Sequence, residues 1–219
     1  MEPGVVFFLV IVGIAIVIRF AAVAKADQDK QEAQRTEELA AWGGRHGLAM
    51  ANPLYEVPRS KIWDLYPIGE LPQDGTLSNF LEGKYNDRDV RVFSHRYVRY
   101  VYKSIRHYDH GVVAVALQAK RPWLSLIPTG FLDRTFGAPD IKTGILEFDH
   151  KFHISAGDEN FALEVLDKET QSALIRAWDR SYYCQNGYVM VVQTGKCEQH
   201  HFDSMLKQAL LLADRLDVI

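Results

Sequence analysis

The sequence predicts an α+β fold built on a mainly antiparallel sheet, and two observations support that prediction. Short apolar or alternating segments follow one another at hairpin spacing, and Asn186-Gly187 joins the last two of them. Strands that succeed one another without intervening helices pair antiparallel. Two short helices and a C-terminal amphipathic helix are expected to cover one face of this sheet, and an N-terminal transmembrane helix is expected to precede it.

The N-terminal segment predicts a membrane-spanning helix. Residues 5–24 are apolar apart from Arg19, and 20 residues of helix span about 30 Å, the thickness of a bilayer's hydrocarbon core. The flanking basic residues lie C-terminal to most of this run, which favours an outside N-terminus and a cytoplasmic domain. They are Arg19, Lys25, Lys30 and Arg35. An extracytoplasmic domain or a cleaved signal peptide is the alternative, because Ala22-Val23-Ala24 resembles a cleavage site.

The sequence predicts three segments: a transmembrane anchor over 1–24, a helical polar stalk over 25–44 and a single globular α+β domain over 45–219. The stalk is rich in Ala, Glu, Gln, Lys and Arg, which favour helix, and Gly43-Gly44 is expected to end it. Leu39 and Trp42 are three residues apart and share a helix face that could dock on the domain, and a plain solvated spacer is the other interpretation of the stalk. The domain is long enough to bury a core without disulfides.

Within the domain, turn residues and hydrophobic periodicity divide the chain into strands and helices. Asn86-Asp87-Arg88 and Asn186-Gly187 are predicted turns, while Asp158 and Asp167 are predicted helix caps. The predicted strands are 79–85, 89–95, 111–119, 123–127, 145–155, 182–184 and 188–194, and the predicted helices are 158–166, 167–178 and 202–216. The strand 111–119 is apolar throughout, which indicates burial on both faces.

Residues 145–155 alternate between apolar and polar positions, as a half-buried strand does. This pattern places Phe148, His150 and Phe152 on the inward face. His153 would then point to the opposite face from His150, so we do not expect these two histidines to share a metal ion.

Several short motifs lie between Gly111 and Ile175. They are Pro122-Trp-Leu-Ser-Leu-Ile-Pro128, Phe148-Asp-His-Lys-Phe-His-Ile154, Ser155-Ala-Gly-Asp158 and Leu166-Asp167. In this order they resemble an uncharacterised, actinobacterial-type family of bacterial single-pass membrane proteins with a domain of unknown function. The chain departs from that family at Asp149-His150, where members often carry Asn-Arg. The resemblance implies an anchor and one domain, and it implies no activity.

One candidate for catalysis is a polar segment before the central strand. His107, Asp109 and His110 are predicted to lie in a loop, where a carboxylate can orient a histidine as a general base. The reaction would be a hydrolysis carried out at the membrane. However, no Gly-x-Ser-x-Gly motif accompanies these residues. A solvated turn is the alternative interpretation.

One candidate for metal binding lies near the C-terminus. Cys197 and His200 have a ligand-like interval, His201 follows, and Cys184 is expected on a neighbouring hairpin. The second half of a paired zinc pattern is missing, so the sequence predicts no cofactor. The alternative is that both cysteines pack as small apolar groups and both histidines open the last helix.

Residues 96–106 interleave arginine, lysine and tyrosine and form the candidate contact surface. Arg96, Arg99, Lys103 and Arg106 are expected to meet anionic headgroups or a protein partner at the membrane. An ordinary exposed edge strand is the alternative, since edges commonly carry basic residues. The net charge of −3 and the isoelectric point near 6.2 argue against nucleic acid as a partner.

Together these patterns favour a membrane-anchored, non-catalytic domain that binds a protein partner or the membrane surface. A membrane-tethered hydrolase using His107, Asp109 and His110 is the second hypothesis. Binding of a small molecule between the sheet and the last helix is a third.

Overall fold

The computed structural model describes residues 3–51, 75–101, 104–129 and 140–219, and for residues 3–15 and 101 it describes the backbone only. The chain divides into two compact units, Met1–Leu39 and Ala40–Ile219. The division into anchor, stalk and domain at residues 24 and 44 stays a prediction.

Helix α1 (Pro3–Arg45) runs without a break through the predicted anchor and stalk. The predicted end at Gly43-Gly44 is wrong by one or two residues, because the helix continues to Arg45 and the chain leaves it at Gly47, whose φ is 70°. Among the residues whose side chains are described, no helix is long and apolar enough to cross a membrane. Most of the predicted span, residues 5–15, lies outside that set.

In the described part of the chain, eight strands form one sheet in which every pair is antiparallel. The strands are β1 (Leu48–Met50), β2 (Thr76–Tyr85), β3 (Arg88–Val101), β4 (Ser104–Ala116), β5 (Leu124–Pro128), β6 (Phe152–Ala156), β7 (Arg180–Gln185) and β8 (Tyr188–Thr194). Their spatial order is β1-β2-β3-β4-β8-β7-β5-β6. The α+β class and both predicted hairpin turns, at Asn86-Asp87 and Asn186-Gly187, are confirmed.

The described residues of the second unit form four further helices: α2 (Leu146–Lys151), α3 (Glu159–Val165), α4 (Lys168–Ile175) and α5 (Gln199–Val218). Both predicted caps are confirmed. The Asp158 carboxylate accepts a hydrogen bond from the Phe161 amide at 3.1 Å, and the Asp167 carboxylate accepts one from the Thr170 amide at 2.8 Å.

The prediction of one strand over 145–155 is wrong, because its first half is helix α2 and only Phe152–Ala156 forms a strand. The Asp149 side chain accepts hydrogen bonds from the amides of Thr143 and Gly144 and from the Thr143 hydroxyl, which ties the preceding turn to the helix. His150 is consequently exposed and not inward. Periodicity alone does not separate such a short helix from a strand.

The core lies between the sheet and α5. The predicted apolar stripe of this helix is largely buried: Phe202, Met205, Leu206, Ala209, Ala213 and Leu216. Leu212 joins the buried stripe, whereas Leu210 is only half-buried. Trp42, at the end of α1, is fully buried in the same unit, and its indole Nε1 donates to Asp203 of α5 at 2.7 Å.

The opposite face of the sheet is buried as well. Val112 and Ala114 of β4 belong to a buried cluster on this face. Val113 and Val115 are buried on the other face, which they share with their paired residues Val191 and Val189. Burial of the central strand on both faces is therefore confirmed, although β4 ends at Ala116 and not at residue 119. The cluster is Phe80, Phe93, Val112, Ala114, Ile127, Tyr183, Met190 and Val192.

Candidate functional site: the β3–β4 arm

Strands β3 and β4 extend beyond their neighbours as a two-stranded ribbon. The last pair between β2 and β3 is Thr76 with Arg96, and the last pair between β8 and β4 is Thr194 with His110. Past these rungs, in the part of the chain that the structure describes, β3 and β4 pair only with each other. We call residues 97–101 and 104–108 the arm. Its five rungs extend about 14 Å at a rise of about 3.4 Å per residue.

The base of the arm is held by an ion pair and by stacked rings. The Arg96 Nε donates to the Asp109 carboxylate at 2.7 Å. The Tyr97 ring stacks on Tyr108 with centroids 5.1 Å apart and on His110 with centroids 5.4 Å apart. Cross-strand aromatic pairs of this kind stabilise a sheet and fix its register.

His110 is buried at this base and is neutral at physiological pH. Burial, together with the nearby charges of His95 and Arg99, lowers the pKa of its imidazole to about 4, against the opposing effect of Asp109. One ring nitrogen lies 3.2 Å from the Tyr97 hydroxyl, and the other lies 3.4 Å from the Thr194 hydroxyl. A neutral imidazole suits these two partners, because it can donate at one nitrogen and accept at the other.

The two faces of the arm differ in chemistry. Directly paired residues share a face, so Arg99 and Arg106 lie opposite each other on one side, next to the Tyr97–Tyr108 rung. The Arg99 guanidinium lies 5.5 Å from the centre of the Tyr97 ring. The other face carries His107 together with Val98, Tyr100 and Ile105, and the last three have exposed fractions of 38%, 80% and 56%. The arm is therefore an amphipathic ribbon.

The pairing of Arg99 with Arg106 is unfavourable by itself. Like charges directly opposite each other destabilise an antiparallel pair. Among the described residues, no ion pair within 4.0 Å joins either arginine to a carboxylate. The two guanidinium groups thus present positive charge that no carboxylate of the described residues neutralises.

The structure divides the four predicted contact residues. It brings Arg99 and Arg106 together on the arm, whereas Arg96 faces the other side and is engaged by Asp109. Lys103 lies outside the described residues. β3 and β4 are interior strands of the sheet, but over the arm each has one edge without a described neighbour, as the edge-strand alternative expects. The role of these residues in contact stays a prediction.

The three candidate catalytic residues lie in strand β4, and the predicted loop is wrong. Alternation places His107 and Asp109 on one face and His110 on the other. His107 is exposed, Asp109 is bound to Arg96, and His110 is buried at the base. The strand therefore separates the two histidines that a shared site would need.

The candidate metal ligands are also distributed over different places. Cys184 is buried in β7 opposite Val189, whereas Cys197 is buried past the end of β8, beside Gly111. The two cysteines form no disulfide with each other. His200 and His201 begin α5, where the His201 Nδ1 accepts from the Glu198 amide at 3.0 Å. Among the described residues, no three His, Cys, Asp or Glu side chains are grouped as metal ligands.

The structure reveals a polar cluster around His153 that the sequence interpretation missed. The His153 Nδ1 lies 3.3 Å from the Asp140 carboxylate, and its Nε2 lies 3.3 Å from the Ser155 hydroxyl. Burial opposes ionisation of Asp140, but hydrogen bonds from Lys142 and from the Ile154 amide lower the pKa of this carboxyl. The His-x-Ser spacing on one face of a strand is the pattern that indicates it. Ser155 is buried within β6 and not on a sharp turn, so we interpret the cluster as a structural link.

By its fold, the protein is an α+β domain with an antiparallel sheet, helices on one face and a projecting ribbon. It is similar to the crystal structure of the mycobacterial trehalose monomycolate transport factor A, TtfA, with a TM-score of 0.60 and 12% sequence identity. The similarity covers 84% of this chain and 95% of that one. At this identity the likeness is one of fold, and its mycobacterial source agrees with the actinobacterial resemblance of the sequence. No protein-family model and no curated protein matches the sequence.

Proposed function

We propose that this chain is a non-catalytic, membrane-associated binding protein whose arm is its contact surface. The single observation that supports this most strongly is the amphipathic arm, which exposes Tyr100 and Ile105 on one face and carries on the other an Arg99–Arg106 pair that no described carboxylate neutralises. Exposed apolar side chains beside unpaired charge are typical of interaction surfaces.

Two further findings support a place at the membrane. The apolar run of residues 5–24 has the length and the flanking charges of an anchor with its domain in the cytoplasm. The fold is shared with a protein named as a transport factor for trehalose monomycolate. By analogy, this chain acts as an accessory factor at the membrane and not as an enzyme.

Hydrogen exchange of the full chain tests the proposal. The arm carries no neighbouring strands in the described structure, so its outer amides should exchange quickly when the protein is in detergent. We expect slower exchange over residues 97–108 when the protein is placed in membrane vesicles from the cells that express it. Peptides covering β5 should not change, and unchanged exchange in the arm would contradict the proposal.

Two variants separate this function from hydrolysis. Arg99→Gln combined with Arg106→Gln should remove the membrane-dependent protection, because it removes the paired charges of the arm. His107→Ala should retain that protection, since His107 lies on the opposite face of the arm from the arginine pair. A hydrolase using His107 would instead lose its activity in His107→Ala and keep it in the double arginine variant.

A further inference from the structure

We infer that the partner of the arm is an anionic phospholipid surface, which the arm enters with its tip first. This inference rests on the proposed function and specifies the partner at the same surface. The occupant is a bilayer that carries phosphate headgroups of net negative charge, and the contacting residues are Arg99, Arg106, Tyr100 and Ile105.

Charge is the first reason for this assignment. The whole chain has a formal net charge of −3, yet residues 97–108 contain basic residues and no acidic one. The ribbon is therefore a locally positive projection from an acidic protein. The cytoplasmic leaflet of a membrane is a negative surface that attracts such a segment within about one Debye length.

The order of the rungs is the second reason. The Tyr100–Ile105 pair lies one rung closer to the tip than the Arg99–Arg106 pair, a difference of about 3.4 Å along the ribbon. A tip-first approach thus places tyrosine and isoleucine deeper and the guanidinium groups at the level of the phosphates. Tyrosine is enriched at this interfacial depth, and arginine binds phosphate oxygens through paired donors.

The repulsion between the two arginines of the arm is the third reason. Arg99 and Arg106 face each other with like charge, and the side chain of Arg96, which could have added to them, is bound to Asp109 on the other face. A phosphate between Arg99 and Arg106 would relieve their repulsion. Protein partners recognised by such a pair would need a matching acidic surface, whereas a bilayer offers phosphates at every position of approach.

The test uses the full chain with a fluorescent label at the tip of the arm. Ser104→Cys provides an exposed thiol for an environment-sensitive nitrobenzoxadiazole label, while the two native cysteines are buried. The protein is placed in phosphatidylcholine vesicles with and without phosphatidylglycerol, and both contain a spin-labelled quencher lipid. We expect quenching at residue 104 that depends on phosphatidylglycerol. The same label on Lys120→Cys, past the opposite end of β4, should not be quenched in this way.

Variants make the result quantitative. Each basic side chain near an anionic surface raises the equilibrium constant for membrane contact about fivefold. Arg99→Gln with Arg106→Gln should therefore lower that constant about 30-fold. Lys120→Gln with Lys207→Gln removes the same charge from exposed positions outside the arm. This control should change the contact equilibrium constant less than about twofold, because these lysines do not lie on the contact surface. Salt that shortens the Debye length from about 10 Å to about 3 Å should weaken the contact.

Two results would overturn the lipid assignment. One is quenching that is absent or equal in the two kinds of vesicle. The other is an equal loss of contact in the arginine variant and in the lysine variant. If native membranes still protected the arm from hydrogen exchange in either case, the arm would bind a membrane protein, and the proposed function would stand without the lipid assignment.

Discussion

At the scale of single residues, His110 links the stability of the protein to pH. Its imidazole is buried beside Tyr97 and Thr194, and burial lowers its pKa to about 4 from the usual 6.5. The folded state therefore binds fewer protons than the unfolded state between these two values. The contribution of His110 to the free energy of unfolding is therefore fully present above pH 6.5 and is lost as the pH falls towards 4.

We predict that His110 makes the free energy of unfolding about 2 kcal/mol lower at pH 5 than at pH 7.5, by proton linkage through this shift. Urea unfolding followed by tryptophan fluorescence at the two pH values measures it. His110→Gln, which keeps a hydrogen-bonding side chain without a titrating group, should reduce the pH dependence by that amount. An identical pH dependence in both proteins would show that another group is responsible.

At the scale of elements, the close packing of α5 on β4 depends on one glycine. A Cβ atom at Gly111 would lie 2.4 Å from the Sγ of Cys197 and 3.2 Å from the ring of Phe202. Both of those residues are buried, so neither has free space into which to move. The absence of a side chain at position 111 thus allows the start of α5 to approach the sheet.

Gly111→Ala should destabilise the protein by about 1–3 kcal/mol, because it forces a methyl group into a filled core. The matched control is Gly44→Ala, in helix α1, where a Cβ would meet nothing within 4 Å. That change should stabilise the helix by up to about 1 kcal/mol. Thermal unfolding of both variants and of the parent protein measures the two changes in stability. Equal changes in the two variants would contradict the role of Gly111 in close packing.

At the scale of the whole molecule, the proposed membrane anchor carries a prediction about the side of the membrane on which the second unit lies. The native cysteines do not report on it while the protein is folded, because Cys184 and Cys197 are buried. Burial also raises the pKa of the Cys184 thiol to about 12, which leaves it unreactive. An introduced, exposed thiol is therefore the suitable reporter.

We predict that Lys120→Cys is labelled by a membrane-impermeant maleimide only after cells are permeabilised, since the basic residues that follow the apolar run favour a cytoplasmic domain. The parent chain should remain unlabelled in both conditions. Labelling of Lys120→Cys in intact cells would place the domain outside and would contradict the predicted orientation.

Local sequence patterns were sufficient for the elements whose cause is itself local. Asn186-Gly187 specifies a tight hairpin because both residues tolerate positive φ, here 52° and 81°. Asp158 and Asp167 cap helices with their own side chains. The stripe of α5 follows from a 3.6-residue period. The class of fold could therefore be predicted without tertiary information.

The candidate site required tertiary structure, because its properties depend on pairing between distant strands. The sequence placed basic residues in 96–106, but only the register of β3 with β4 sets Arg99 opposite Arg106 and directs Arg96 to Asp109. The strand conformation of β4, where the sequence predicted a loop, places His107 and His110 on opposite faces. Which residues share a face, and which charges are already neutralised, is determined by strand pairing and not by spacing along the chain.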